Sequence, residues 1–426
     1  MSRDWGVTVM RNALSFRQRA GMLGLVLTAT AGVWPAGAQT SVSSTHNPTW
    51  GTSPAGDRAG RVMAMLEAGP VVYLAGEFTG LVAPSGGPPL ARPYLAALDV
   101  ASGQPLEFNA QLSGPVRALA LSPDGRRLYI GGDFERAGGG PAHNLAAVDP
   151  ATGALVPEFA PPRVNSGVRA LALAGDRLYV GGNFTEVLAG GRAVPRPQVA
   201  AFSAGRGTLL NWKPPPNRGG EFFGQTGEET STGDGLIYGL ALSGDGQELY
   251  AAGTFLNFGG RKGLVSLTTS TGKPTAWQPE MDRPVFAVTV WPGDGRTLFA
   301  AAGGKGGSLQ AFSPGGDTKP SWDVRTDGDN VGVLASDTTV YLLGHYDFIV
   351  PSKSTCYQKC PGGPERHHLA AFDAATGALD PWNPTANTST GPHSGTIGAN
   401  HLWVGGEFTM INRVPQPGVA QFPGVP

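Results

Sequence analysis

From about residue 60 onward the apolar positions fall in short runs, each cut off by Gly, Pro, Asp or Asn. "VRALALSPDG" (Val116 to Gly125) and "YGLALSGDG" (Tyr238 to Gly246) show the form. Runs of this length, bounded by turn residues, predict β-strands. The Asp-Gly pair at the end of each supplies the positive φ that a tight hairpin needs. Past the first 40 residues no stretch carries the apolar spacing of a long amphipathic helix. The expected class is all-β.

A second run follows each of the first and recurs in seven variants. They are "YLAGEF" (Tyr73), "YIGGDF" (Tyr129), "YVGGNF" (Tyr179), "YAAGTF" (Tyr250), "FAAAGG" (Phe299), "YLLGHY" (Tyr341) and "WVGGEF" (Trp403). A third run comes next, such as "LAAVDPATG" (Leu145) or "LAAFDAATG" (Leu369). A short fourth segment with one aromatic closes the unit, at Phe108, Phe159, Trp212, Trp277, Trp322 and Trp382. Four short strands repeated at this period read as a seven-bladed β-propeller of four-stranded antiparallel blades. Both faces of each blade are buried, so glycines such as Gly131 and Gly132 fit where neighbouring backbones approach. One aromatic per unit at a fixed place indicates repeated core packing, not a ligand cage. The last third run, "VAQFPG" (Val419 to Gly424), has no fourth segment behind it. The missing piece resembles "HNPTW" (His46 to Trp50), so an N-terminal strand is expected to complete the last blade and close the ring.

The motif "HHLAAFDAATGALDPWNPTAN" (His367 to Asn387) resembles the bacterial delta-60 repeat, a β-propeller family of unknown function. The resemblance covers nearly all of residues 39–426 and implies the fold more than any activity. Such repeats are common in exported proteins, often beside adhesive modules. Units five and six depart from the pattern, with "FAAAGG" lacking the Phe and His345 standing at the usual acidic position. "GGDF" (Gly131 to Phe134) and "GGEF" (Gly405 to Phe408) also resemble the diguanylate cyclase signature, G-G-[DE]-E-F. They have one acidic position where the cyclase has two. A motif returning in seven variants along an all-β chain also lacks the structural context of that loop.

The first 38 residues carry arginines, then "GMLGLVLTATAGVW" and "AGA" (Ala36 to Ala38), which reads as a secretory leader cleaved after Ala38. Residues 39–426 are then the propeller, secreted to the periplasm or the exterior, expected as a monomer without a membrane span. The net charge of -1 across 426 residues offers no electrostatic case for nucleic acid. In an exported chain the isolated pair Cys356 and Cys360 reads as a disulfide stapling a loop. The competing reading is a metal site with His367 and His368, but successive strand residues point to opposite faces. "DGDN" (Asp327 to Asn330) reads as a turn. At the acidic position, Glu77, Asp133, Asn183, Thr254, His345 and Glu407 read as turn caps or partners of neighbouring backbone.

No Gly-x-Ser-x-Gly elbow, phosphate-cradling loop or metalloprotease helix is present, so no catalytic residue, metal or cofactor is assigned. The expected function is a non-enzymatic binding scaffold for a protein or glycan at the cell surface. Candidate contacts are Phe222 and Phe223 in the insertion between units three and four, and His345, Asp347, Arg366 and Glu407 at the channel mouth. The alternative is an exported hydrolase or lyase using that mouth. N-terminal sequencing of the exported protein is expected to begin at Gln39; a start upstream of Ala36 would overturn the leader reading.

Overall fold

The computed structural model describes residues 42–53, 60–222, 229–230, 235–304, 306–351, 360, 363–388 and 390–424. The chain is all-β and divides into many small antiparallel sheets. Seven of those among the described residues share one layout, in which the first run pairs with the second and the second with the third. In unit 1 these strands are Arg61–Ala68, Val71–Glu77 and Leu95–Asp99. In unit 2 they are Val116–Leu121, Leu128–Gly132 and Leu145–Val148, and in unit 3 Val168–Ala174, Arg177–Gly182 and Val199–Ser203. Unit 4 has Ile237–Leu242, Glu248–Gly253 and Leu264–Thr268, and unit 5 has Val285–Val290, Leu298–Ala302 and Gly307–Phe312. Unit 6 has Asp329–Ala335, Thr339–His345 and Leu369–Asp373, and unit 7 has Pro392–Ile397, His401–Gly406 and Val419–Pro423.

The fourth segment differs from expectation. It forms a full strand only in unit 5, where Trp322–Thr326 pairs with Gly307–Phe312. In units 1, 2, 3, 4 and 6 it makes a single bridge, as at Leu98–Pro105, Val148–Leu155 and Phe372–Leu379. In units 2, 3, 4 and 6 proline accounts for the difference. Pro157, Pro214, Pro279 and Pro381 follow or flank these bridges, and proline has no N–H to give to a ladder. Unit 5 has no proline after Pro320, and its fourth strand forms. In unit 7 the partner is the N-terminal segment: Asn47 bridges Gln421, and Ser43 N donates to Pro423 O at 2.9 Å.

Alternate residues of each strand serve different neighbours. Leu95 and Ala97 pack in a cluster with Leu119 and Ile130 of unit 2. Ala96 and Leu98 pack in another with Trp403 and Val419 of unit 7. A similar cluster lies between each pair of consecutive units. The glycine pair sets the spacing. A Cβ on Gly181 would lie 2.6 Å from Ile237 Cγ2 of the next unit, and one on Gly405 would lie 2.6 Å from Val62 Cγ1. The following glycine, as at Gly182 or Gly253, lies against the backbone of its own first strand.

In units 1, 2 and 3 the tyrosine of the second strand ties its sheet to the next. Tyr73 Oη donates to Pro150 O at 2.7 Å, Tyr129 Oη to Ala204 O at 2.6 Å and Tyr179 Oη to Thr269 O at 2.8 Å. The fourth-segment aromatic packs edge-on against the same ring, as in Tyr129 with Phe159 at 5.1 Å and Tyr341 with Trp382 at 5.4 Å. This is the core role expected for those aromatics. Between units 7 and 1 the tie is a side chain instead. Glu67 Oε2 accepts from Trp403 Nε1 at 3.1 Å and pairs with His401 Nε2 at 2.5 Å.

Two stability outcomes follow from this packing. Tyr129→Phe removes a buried hydrogen bond to the next unit and should cost about 1 kcal/mol in urea unfolding. Gly181→Leu overfills the gap to unit 4 and should cost about 1–3 kcal/mol. A Gly181→Leu protein as stable as the parent would show that the units are not in close contact there.

Candidate functional site

Every first strand carries a register shift at the same place opposite the second. A bulge of this kind leaves one residue out of the ladder and re-aims its side chain. The bulged residues are Met63, Arg117, Arg169, Tyr238, Phe286, Val331 and His393, none more than 8% exposed. They meet across units. Arg117 Nη1 lies 3.4 Å from Met63 Sδ, Arg169 stacks over Tyr238 at 5.4 Å, and Tyr238 packs edge-on against Phe286 at 5.4 Å. Sequence reading did not find this set, because residue type varies from Met to Arg to His and only the common register reveals it.

Strand direction then sorts the connections. The first-to-second turns are tight, with Gly69, Gly125, Gly175, Gly246 and Gly295 at positive φ. The third-to-fourth turns are tight as well, capped by Asp99, Asp149 and Asp373, whose carboxylates accept from Ser102, Thr152 and Thr376. Both kinds issue on one face. The second-to-third connections and the lead-ins to each first strand issue on the other. Here stand small hairpins such as Glu186–Ala189 with Arg192–Pro195 and Met410–Ile411 with Val414–Pro415. The exposed large hydrophobic residues among the described ones, Leu188, Met410 and Val414, all stand on these two hairpins. We call this face the crown.

Within the crown, the acidic position joins an arc of alternating charge. Glu407 Oε2 pairs with Arg61 Nη2 at 3.0 Å, and Arg61 Nη1 reaches Glu77 Oε2 at 3.7 Å. Glu77 Oε1 takes Arg117 Nη2 at 3.3 Å, and Arg117 Nε binds Asp133 Oδ2. These acids therefore bind arginines instead of capping turns: Glu407 and Glu77 each reach one of an adjacent unit, and Glu77 and Asp133 each bind one of their own. Thr254 keeps the expected local role, with its Oγ1 accepting from Leu236 N at 3.0 Å. Asn183 Nδ2 donates to Ser166 Oγ at 3.0 Å.

The other predicted residues separate. Arg366 donates from Nη2 to Asp380 O at 2.9 Å, as Arg196 does to Leu210 O at 3.3 Å. It clamps the fourth segment as Arg196 does, while its backbone N donates to Asp347 O at 2.9 Å. His345 stacks on His368, with ring centroids 5.9 Å apart and planes at 17°. Asp347 Oδ1 lies 2.9 Å from His367 Nδ1, and Glu365 Oε1 lies 2.9 Å from His367 Nε2. His367 and His368 thus diverge, and among the described residues no three His, Cys, Asp or Glu are arranged to hold a metal ion. Glu407 sits in the arc with Arg61, apart from this histidine group.

"DGDN" is only half a turn. Asp329 and Asn330 open the first strand of unit 6, and Asp327 is a buried anchor. Its Oδ1 accepts from Asp347 N and Phe348 N, both at 2.9 Å. Its Oδ2 accepts from Cys360 N at 3.4 Å, and Cys360 is 4% exposed. Cys356, its expected disulfide partner, lies outside the described residues, as does Phe223. Phe222 ends the strand Asn217–Phe222, which pairs with Phe255–Phe258 on the crown.

No family model matches the chain, so the delta-60 resemblance rests on its repeat motif alone. No curated protein matches it. Among solved structures it is similar to the computationally designed Ika8 protein, at 11% identity and a TM-score of 0.47, covering 88% of this chain and 99% of that one.

Two outcomes test the site. Arg117→Ala leaves Glu77 and Asp133 facing each other. It should cost about 1–3 kcal/mol in denaturant unfolding, less than a fully buried orphan charge because Asp133 is 39% exposed. His393 is pushed down to about 3 by burial, with the Arg61 charge adding to it. Its folded value lies below its ordinary 6.5, so the unfolded chain binds the proton first. The stability it supports is full above about pH 6.5 and declines as pH falls toward 3. His393→Asn should flatten that decline in melting temperature between pH 6.5 and pH 4.

Proposed function

We propose that the chain is a seven-bladed β-propeller, closed by its N-terminal segment, that serves as an exported non-enzymatic binding scaffold. Its ligand is a protein or glycan held on the crown. Support for the ring comes from contact between successive first strands, which runs from unit 1 to unit 7 and returns from unit 7 to unit 1. Support for closure comes from Ser43 and Asn47 lying along Val419–Pro423 while Gly51–Thr52 pairs with Gly80–Val82 of unit 1.

One observation carries the binding reading. The two faces are unequal: tight turns occupy one, and the long connections and exposed apolar residues occupy the other. Insertions gathered on one face of a repeat array are the usual recognition surface, and loops on a rigid scaffold tolerate the variation that recognition needs. The middle favours the same reading over a hydrolase or lyase. The bulged side chains fill it, the arc carboxylates are occupied by arginines, and Arg366 is committed to Asp380 O. The assignment remains one of site rather than fold.

Residues 39–426 should be screened against glycan and cell-surface protein arrays beside a variant of the insertion between units three and four, Phe222→Ala with Phe223→Ala, and a crown variant, Leu188→Ser with Val414→Ser. Saturable binding that weakens at least tenfold in either variant, and survives Arg126→Glu on the tight-turn face, is the expected result. Turnover of a hydrolase or lyase substrate abolished by Asp347→Asn would replace the scaffold reading with the enzymatic one.

A further inference from the structure

We propose that His345 and His368 form an acid-released latch that holds the unit 6 part of the crown closed near neutral pH and frees it on acidification. The proposal deepens the binding reading by giving that face a regulator, and its test needs no ligand. The latch sits at the root of the second-to-third connection of unit 6. His368 N donates to Tyr346 O at 2.9 Å, and Gly344 N donates to His368 O at 3.1 Å. The strand Ile349–Val350 hangs from this root and pairs with Trp322–Thr326 of unit 5. Release at the root therefore loosens a strand that joins two units.

The backbone at the root is built in every comparable unit. The same register holds Tyr94, Asn144, Gln198, Gly263 and Gly418, each at positive φ, and His368 has φ 72°. Unit 6 alone fills this position with an imidazole, and alone places another, His345, at the acidic position above it. His368 is 7% exposed, and among the described residues its Nδ1 has no hydrogen-bond partner. A proton there has no acceptor and faces the His345 ring. Other charges stand around the pair. Asp347 favours the proton and His367 opposes it. Glu365 is taken up by His367. Asp329 lies opposite His345 in the strand register. From unit 7, Gly391 abuts the Gly344 carbonyl, with His393 two residues beyond.

Burial pushes His368 down to about 4 from 6.5. A released His368 is solvated and takes its proton at the ordinary value. The closed form is thus favoured fully above about pH 6.5 and loses ground as pH falls toward 4. By linkage, the closed-to-open ratio at pH 5 should be about thirty-fold below its value at pH 7.5.

Hydrogen exchange, corrected for intrinsic rates and compared between pH 7.5 and pH 5, reads this directly in residues 39–426. The expected result is a loss of protection of about thirty-fold in peptides covering 343–350 and 364–373. Peptides around Asn144 in unit 2, compared in the His393→Asn protein so that the other buried imidazole does not titrate, should lose less protection. His368→Asn copies the residue native to that register in unit 2, and His368→Gly copies units 4 and 7, so at least one should fold. In the same His393→Asn background, each should abolish the excess loss in these two segments. An unchanged response in a folded variant, an absent response in the parent, or equal loss around Asn144 would overturn the latch. None of these results bears on whether a ligand binds the crown, so latch and scaffold readings fail separately.

Discussion

The structure depends on how closely consecutive sheets approach. A strand buried on both faces has a neighbour on each side, and there is little depth to share between them. Glycine and alanine at the middle of each second strand bring the next unit within van der Waals contact, as Gly181 does with Ile237. The large aromatics lie toward the tight-turn face and the fourth segment, where the sheets diverge. There they pack edge-on with the tyrosine that also bonds to the next unit.

The bulge in each first strand is the second consequence of crowding. Next to the bulge lies the second glycine of the motif, set against the strand's own backbone, as Gly182 is against Gly167 and Val168. The extra residue is pushed out of the ladder and its side chain goes where the first strands meet. This single device yields both the contacts between bulged residues and the charged arc, since Arg117 reaches Met63, Glu77 and Asp133 from a bulged position. Charges at such a place need partners, because a buried unpaired charge costs several kcal/mol. The acids after the glycine motif meet that need, which leaves the surrounding hairpins as the part of the crown free to vary.

Much of the fold was legible because its signals are local. Asp-Gly turns, five-residue apolar runs and one aromatic per unit depend on residues a few positions apart, and the pairing Leu128–Gly132 with Leu145–Val148 follows from them. In units 2, 3, 4 and 6 the fourth strands were overcounted because a proline's missing N–H acts at one bond, beneath the resolution of a repeat pattern. For the candidate site, His345 and Asp347 were found by departure from the repeat, and the structure sets each against a further histidine. The clamp made by Arg366 was not legible, because it shows only when Arg196 is seen making the same bond.

The amino-acid order by itself determined the strand type, the turn positions, the unit count and the repeated aromatic core, since each arises from neighbours along the chain. Only the tertiary structure decided which side chain each bulge sends inward, which acids meet which arginines and which histidines stack. Glu407 and Arg61 stand 346 positions apart. Their contact exists because the last unit lies against the first, and no local preference of either residue specifies it.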